Sequence, residues 1–205
     1  MKKIVAFIFS VIFASSLFAE TFDSVCENLS KHPVMTGRFS QVKTISSVNR
    51  QMKSNGTFIF SLDGIMWKTE KPFPSSIVVG MTSIVQTMPD GSKNVIDASS
   101  NQIFGSIATT LSSIFSGNIV GLQSNFDVSF SMNGNAWTAE LLPKDDAVLM
   151  ILKKLTVSGT YSPTFAEMDK IVMEESSGDT IAYTFTNKNY PKELTADEKS
   201  IFTSK

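Results

Sequence analysis

Residues 48–62 constrain the fold more than any other stretch of this chain. Their even positions read Val, Arg, Met, Ser, Gly, Phe, Phe, Leu, and their odd positions read Asn, Gln, Lys, Asn, Thr, Ile, Ser, Asp. Side chains alternate across a strand, so Met52, Phe58, Phe60 and Leu62 are expected on one face and a mostly polar set on the other. A long strand with a single apolar face belongs to an antiparallel sheet that covers a core on one side. A β-rich run carrying Phe39, Val42 and Ile45 precedes it, and GIMWKTEKP, with Trp67, follows it.

The rest of the chain extends the same theme. SIVVGM and SIVQTM read as strands near 75–81 and 82–88, and Pro89-Asp90-Gly91-Ser92 turns into KNVIDA. Phe126, Val128, Phe130 and Met132 alternate before Asn133-Gly134-Asn135, a strong hairpin signal that leads into a strand with Trp137. A helical turn at 146–152 or continuous strand both fit AVLMILKKLTV. AEMDKIVMEES and TIAYTFTN pair across Ser177-Gly178-Asp179, and an irregular tail follows Asn189-Tyr190-Pro191. Short strands joined by turns, without βαβ alternation, predict a mainly β fold with some α. The expected form is a single domain built on one curved antiparallel sheet.

Two stretches switch to the helical period. Phe22, Val25, Cys26 and Leu29 predict an amphipathic helix over 20–31, ended by His32-Pro33. Ile103, Phe104, Ile107, Leu111, Ile114 and Phe115 form a stripe over 102–116, with Gly117 as the stop. The opposite face of that second helix is nearly all Ser, Thr and Asn. A helix with Gly105 and many β-branched residues has low intrinsic propensity, so packing must hold it. It is either a displaceable lid over the sheet or a permanent part of the core.

Met1-Lys2-Lys3, an apolar run and Ala19-Glu20 read as a secretory signal peptide over 1–19, leaving a mature domain over 20–205. The run 4–19 contains Ser10, Ser15 and Ser16 and is shorter than the roughly 18–20 apolar residues a span requires. The only Cys, Cys26, follows Asp23-Ser24-Val25, which is no acylation site, and a single Cys excludes an internal disulfide. Loss of Lys2 and Lys3 would move the formal charge from −1 to −3. Such a balance offers no footprint for nucleic acid.

The sequence is poor in recognisable reaction chemistry. His32 is the only histidine, so Ser–His and Cys–His pairs and a zinc site all depend on one residue beside a proline. No P-loop, G-x-G-x-x-G, G-x-S-x-G or H-E-x-x-H occurs. Asp145-Asp146 and Glu174-Glu175 sit beside turns and read as solvated. The expectation is no enzyme, no catalytic residues, no metal and no cofactor. What stands out is apolar: 16 Phe and 10 Met in 205 residues. Met suits a pocket for a flexible apolar guest, although core filling is the plainer account of most of these residues.

Order and spacing add a resemblance. G-x-F-x-Q (Gly37, Phe39, Gln41), then G-x-F-x-F (Gly56, Phe58, Phe60), then a Gly-started strand with Trp67 and Pro72, all behind an export signal and a short helix, resemble the LolA-like periplasmic lipoprotein carriers. The resemblance implies an open barrel closed by lid helices around a cavity for acyl chains. By this analogy Phe39, Met52, Phe58, Phe60, Leu62, Trp67, Phe126 and Phe130 line the cavity. Ile103, Phe104, Ile107, Leu111, Ile114 and Phe115 form the lid. It further implies a soluble periplasmic monomer that takes acylated lipoproteins or other lipid cargo from an inner-membrane release complex to an outer-membrane acceptor.

The chain departs from that pattern where family members often carry an Arg that latches the lid: here the segment is Phe60-Ser61-Leu62-Asp63-Gly64. A paralogue for a glycolipid or another lipid therefore stays open. So do an extracytoplasmic protein-binding scaffold with a filled core and a hydrolase with a carboxylate pair.

Overall fold

The computed structural model describes residues 21–80, 83–97, 109–110, 112–114 and 116–203. Eleven strands form one antiparallel sheet in the order β6-β5-β4-β3-β2-β1-β11-β10-β9-β8-β7. They are β1 (Val34–Ile45), β2 (Arg50–Ser61), β3 (Gly64–Lys71), β4 (Ser75–Gly80), β5 (Ser83–Thr87), β6 (Lys93–Asp97), β7 (Phe126–Asn133), β8 (Ala136–Pro143), β9 (Leu152–Ser162), β10 (Phe165–Glu175) and β11 (Thr180–Asn189). Because β6 and β7 pair on one side only, the sheet does not close into a barrel. The single long-range step is β1 against β11, which joins the two halves of the chain.

The alternation read from the sequence sets the pleat. Met35, Phe39, Phe58, Phe60, Ile65, Val79 and Ile84 face one side with Trp137, Ala139, Leu141, Leu155, Val157, Met168, Ile171 and Phe185, in one buried core. Helix α1 (Phe22–Ser30) fills this concavity with the stripe the spacing predicts: Phe22, Val25, Cys26 and Leu29 are all buried. The Thr21 side chain accepts from Ser24 N and caps the helix. Full burial of Phe22, Val25 and Leu29 contributes about 1.5–3 kcal/mol each at most. Cys26 is inert filling: burial, helped by Asp23, holds its thiol far above the ordinary range.

Residues 109–110 and 112–114 are helical, in agreement with the second helical stripe, and Ile114 is completely buried in the main core. Thr110 and Ser113, on the face read as polar, are buried too. Ser113 O accepts from Asn118 N at 2.8 Å, which ties the end of this segment to α2 (Ile119–Asn125). Of the six lid positions, Ile103, Phe104, Ile107, Leu111 and Phe115 lie outside the described residues, as do the leader positions 1–20.

Two local expectations change and one open choice is decided. The strand expected over 48–62 is β2, over Arg50–Ser61, because Ser46–Val48 form a 3₁₀ turn and Asn49 is left-handed. AVLMILKKLTV divides into a short helix, α3 (Asp146–Leu149), whose N-cap Asp145 accepts from Ala147 N and Val148 N, and then β9. The tail read as irregular ends in α4 (Ala196–Thr203). Thr195 and Glu198 form a capping box: Glu198 N donates to Thr195 Oγ1 at 3.3 Å and Thr195 N to Glu198 Oε2 at 2.8 Å. Ile201 and Phe202 of α4 then cover a second, convex core of Val34, Ile59, Met66 and Leu194. So β1–β4 are covered on both faces.

Candidate functional site

The pairing register lays the concave residues of the N-terminal half-sheet in rows. The deepest row runs Met35, Phe60, Ile65, Val79, and the next Gly37, Phe58, Trp67, Ile77. Above these come Phe185, Phe39, Gly56, Thr69 and Ser75, then Tyr183, Gln41 and Ser54, and finally Ile181, Lys43 and Met52. Apolar aromatics therefore give way to amides, hydroxyls and cations along one direction of the strands. Gly56 permits this stacking, since a Cβ there would lie 1.9 Å from Lys68 O, at the register shift between Asn55 and Gly56.

The aromatics form a continuous cluster. Phe58 lies 4.8 Å from both Phe60 and Phe185, and Phe60 lies 5.2 Å from Trp67, all between ring centroids. Tyr183 closes it, 5.8 Å from Trp67 and 5.7 Å from Phe39. Burial alone pushes the Tyr183 hydroxyl up to about 12. Trp67 Nε1 is buried and has no hydrogen-bond partner among the described residues. A donor in that position costs about 1–3 kcal/mol relative to a satisfied one.

Four expected wall residues, Phe39, Phe58, Phe60 and Trp67, thus come together. Phe126 and Phe130 lie further off, on β7 at the far edge of the sheet: Phe126 is buried in the same core, and Phe130 packs against it, 5.6 Å from Phe22 of α1. Met52 keeps the expected face but lies at its outer end, 54% exposed. Leu62 is not on that face, because alternation stops at Ser61. Leu62 and Asp63 form the two-residue β2–β3 loop, and Leu62 is 55% exposed.

Tyr183 and Phe185 join the cluster although neither is among the expected wall residues. TIAYTFTN alternates, and it places Ile181, Tyr183 and Phe185 together. The carboxylates read as solvated also have partners: Glu175 pairs with Lys43 at 3.4 Å, and Asp145 is the cap of α3.

At the outer end of the rows lies a cavity of about 430 Å³ between β1, β2 and the β3–β4 connection. Met52, Pro72 and Phe73 are its apolar groups, and Lys43, Arg50 and Lys53 its charged ones; no carboxylate lines it. Phe73 stands 69% exposed on the lip. Gln41 and Ser54 are bonded to each other across the floor at 2.9 Å. The volume falls in the range of small-molecule sites.

An unclosed sheet with a helix in its concavity and an aromatic cluster leading to an open mouth is the architecture of a lipoprotein-carrier-like fold. The family description "Outer membrane lipoprotein carrier protein LolA" matches residues 30–202, and the chain belongs to that family. A search of curated proteins finds no match. Among solved structures, the fold is similar to a LolA superfamily protein from Nitrosomonas europaea, at 13% identity and a TM-score of 0.47, covering 91% of this chain and 99% of that one. It is also similar to a DUF1329 family protein from Desulfovibrio piger, at 9% identity and a TM-score of 0.49, covering 88% and 96%.

Proposed function

We propose that this protein is an exported, periplasmic carrier that holds the acyl chains of a lipoprotein, or of a related amphiphile, against the concave face and moves them from inner to outer membrane. The chemistry is non-covalent binding by a monomer, and no cofactor takes part. The observation that carries this reading is Trp67. Its indole N–H is buried beside an aromatic cluster with no acceptor among the described residues, whereas the indole of Trp137 in the other half of the sheet donates to two carbonyls. A cargo ester or amide carbonyl supplies the acceptor, and its chain supplies apolar surface for Phe39, Phe58, Phe60 and Phe185.

Energetics allow exchange. An acyl chain of about 14 methylenes gains roughly 11 kcal/mol gross at about 0.8 kcal/mol per buried CH₂. Ordering the chain takes back part of that. Five large apolar side chains of a lid helix, at about 1.5–3 kcal/mol each, give a comparable sum. Cargo and lid therefore compete for one surface, in keeping with the complete burial of Ile114 in this structure.

The test is titration of delipidated mature protein with a synthetic diacylated N-terminal peptide, followed by calorimetry and by native mass spectrometry. Stoichiometric binding, weakened about tenfold or more by Trp67→Phe with the fold intact, is expected. Failure of any acylated ligand to bind would overturn the reading.

A further inference from the structure

The mouth differs in chemistry from the aromatic rows below it, and the difference specifies a ligand. Of its three cations, Lys43 is neutralised by Glu175. Arg50 and Lys53 have no ion-pair partner among the described residues, and no carboxylate lines the cavity. Beside them the apolar Met52 and Phe73 are largely exposed. Unpaired cations next to exposed apolar side chains form a surface for a molecule that is anionic at one end and apolar at the other.

We propose that this mouth holds the anionic headgroup of a phospholipid-like amphiphile whose chain runs down the concave face towards Phe39 and Phe185; the inference rests on the carrier reading. Dimensions agree. Met52 and Gly56, which stands in the row of Phe39 and Phe185, are four residues apart on β2, about 13 Å at roughly 3.3 Å per residue. One leaflet of a hydrocarbon core of about 30 Å is about 15 Å deep, so a single chain starting at Met52 reaches that row and stops short of Trp67. Arg50, on the face of Met52, can bond two phosphate oxygens at once; Lys53, which alternation places on the opposite face with Val42, lines the cavity from the edge of β2 left free beyond Asn55 and adds a point charge. Ser75, which also lines the cavity, provides a neutral donor for a remaining oxygen. A zwitterionic headgroup brings its own cation into the same positive field and loses the advantage. The assignment thus places anion selection at the mouth and chain binding in the rows beneath.

The experiment compares short-chain phosphatidylglycerol with phosphatidylcholine of identical chains, by calorimetry on the mature protein, for wild type and for Arg50→Gln/Lys53→Gln. Both positions lie at the exposed outer end of β2, so folding is not at stake, and thermal melting verifies this. Wild type should prefer the anionic lipid by tenfold or more. The double variant should lose about 25-fold for phosphatidylglycerol, at about fivefold per cation, and leave phosphatidylcholine unchanged. Inorganic phosphate alone should neither bind measurably nor displace the lipid. Equal affinity of wild type for the two lipids, or a preference that survives in the double variant, overturns the inference and leaves the carrier reading standing. Tight binding of phosphate by itself also overturns it, since the mouth would then be a site for the free anion. If neither lipid binds while the diacylated peptide does, this inference falls alone; if none of the three binds, the carrier reading falls with it.

Discussion

The two tryptophans divide the sheet into halves that are built alike and finished differently. In each half a glycine packs against a neighbouring strand at a register shift: a Cβ on Gly56 would lie 1.9 Å from Lys68 O, and one on Gly159 would lie 1.8 Å from Glu167 O. In the C-terminal half Gly159 pairs directly with Trp137, so the indole has room to donate to Thr160 O at 3.2 Å and Glu167 O at 3.1 Å. In the N-terminal half the residue opposite Trp67 is Phe58 and not a glycine, and the indole N–H has no partner among the described residues. Trp137 has no exposed surface, while Trp67 is only partly buried. Native cores rarely tolerate an orphan donor: the half that closes its hydrogen bonds is scaffold, and under the proposed function the other half is the ligand surface.

The largest effect that tests this contrast is on stability. Trp137→Ala should lower the unfolding free energy by about 3–5 kcal/mol in a denaturant titration, since it empties a fully buried site. A loss near 1 kcal/mol would break the comparison. Trp137→Phe and Trp67→Phe sharpen it further. The first leaves two carbonyls without their donor and should cost about 2 kcal/mol, while the second removes an orphan and should leave stability within about 0.5 kcal/mol. Equal costs would mean that both indoles are structural.

A smaller effect concerns the convex side. Thr195→Ala removes half of the capping box and should cost about 1 kcal/mol, seen as earlier proteolysis of the C-terminal segment, with acyl binding unchanged. The smallest is alkaline. Tyr183 ionises near 10 when unfolded and at about 12 in the fold, so the folded state holds the proton longer. Stability is therefore fully present below pH 10 and falls as the pH rises towards 12. Burial raises Cys26, and burial together with Glu167 raises Tyr190, so both contribute with the same sign. Tyr183→Phe should flatten the fall in melting temperature across that window, and an unchanged slope would place Tyr183 in water.

Much of this architecture was legible because it depends on short-range pattern. Period-two alternation identified β2 and β7 as half-buried strands. The 22, 25, 26, 29 spacing identified α1, and Asn-Gly and Pro-Asp-Gly marked two hairpin turns. The α4 helix was legible too, since Thr195 and Glu198 stand at capping-box spacing, but its few apolar residues gave a weak periodic signal.

By itself the sequence determined which face each side chain takes, because the pleat allows only two. It did not determine depth along the strand or what stands opposite. Met52, Phe58 and Phe60 have the same parity, yet the first is 54% exposed and the others 1%. That outcome depends on how far α1 and the residues around Ile114 extend over the sheet. Nor does the letter W distinguish Trp67 from Trp137. The cross-strand partner, Phe58 in one case and Gly159 in the other, decides whether the indole reaches a carbonyl. The same holds for the mouth: among the described residues the folded sheet brings Glu175 to Lys43 and no carboxylate to Arg50 or Lys53. Local patterning acts through neighbours in the chain, whereas burial and charge balance are sums over groups that only the tertiary fold assembles.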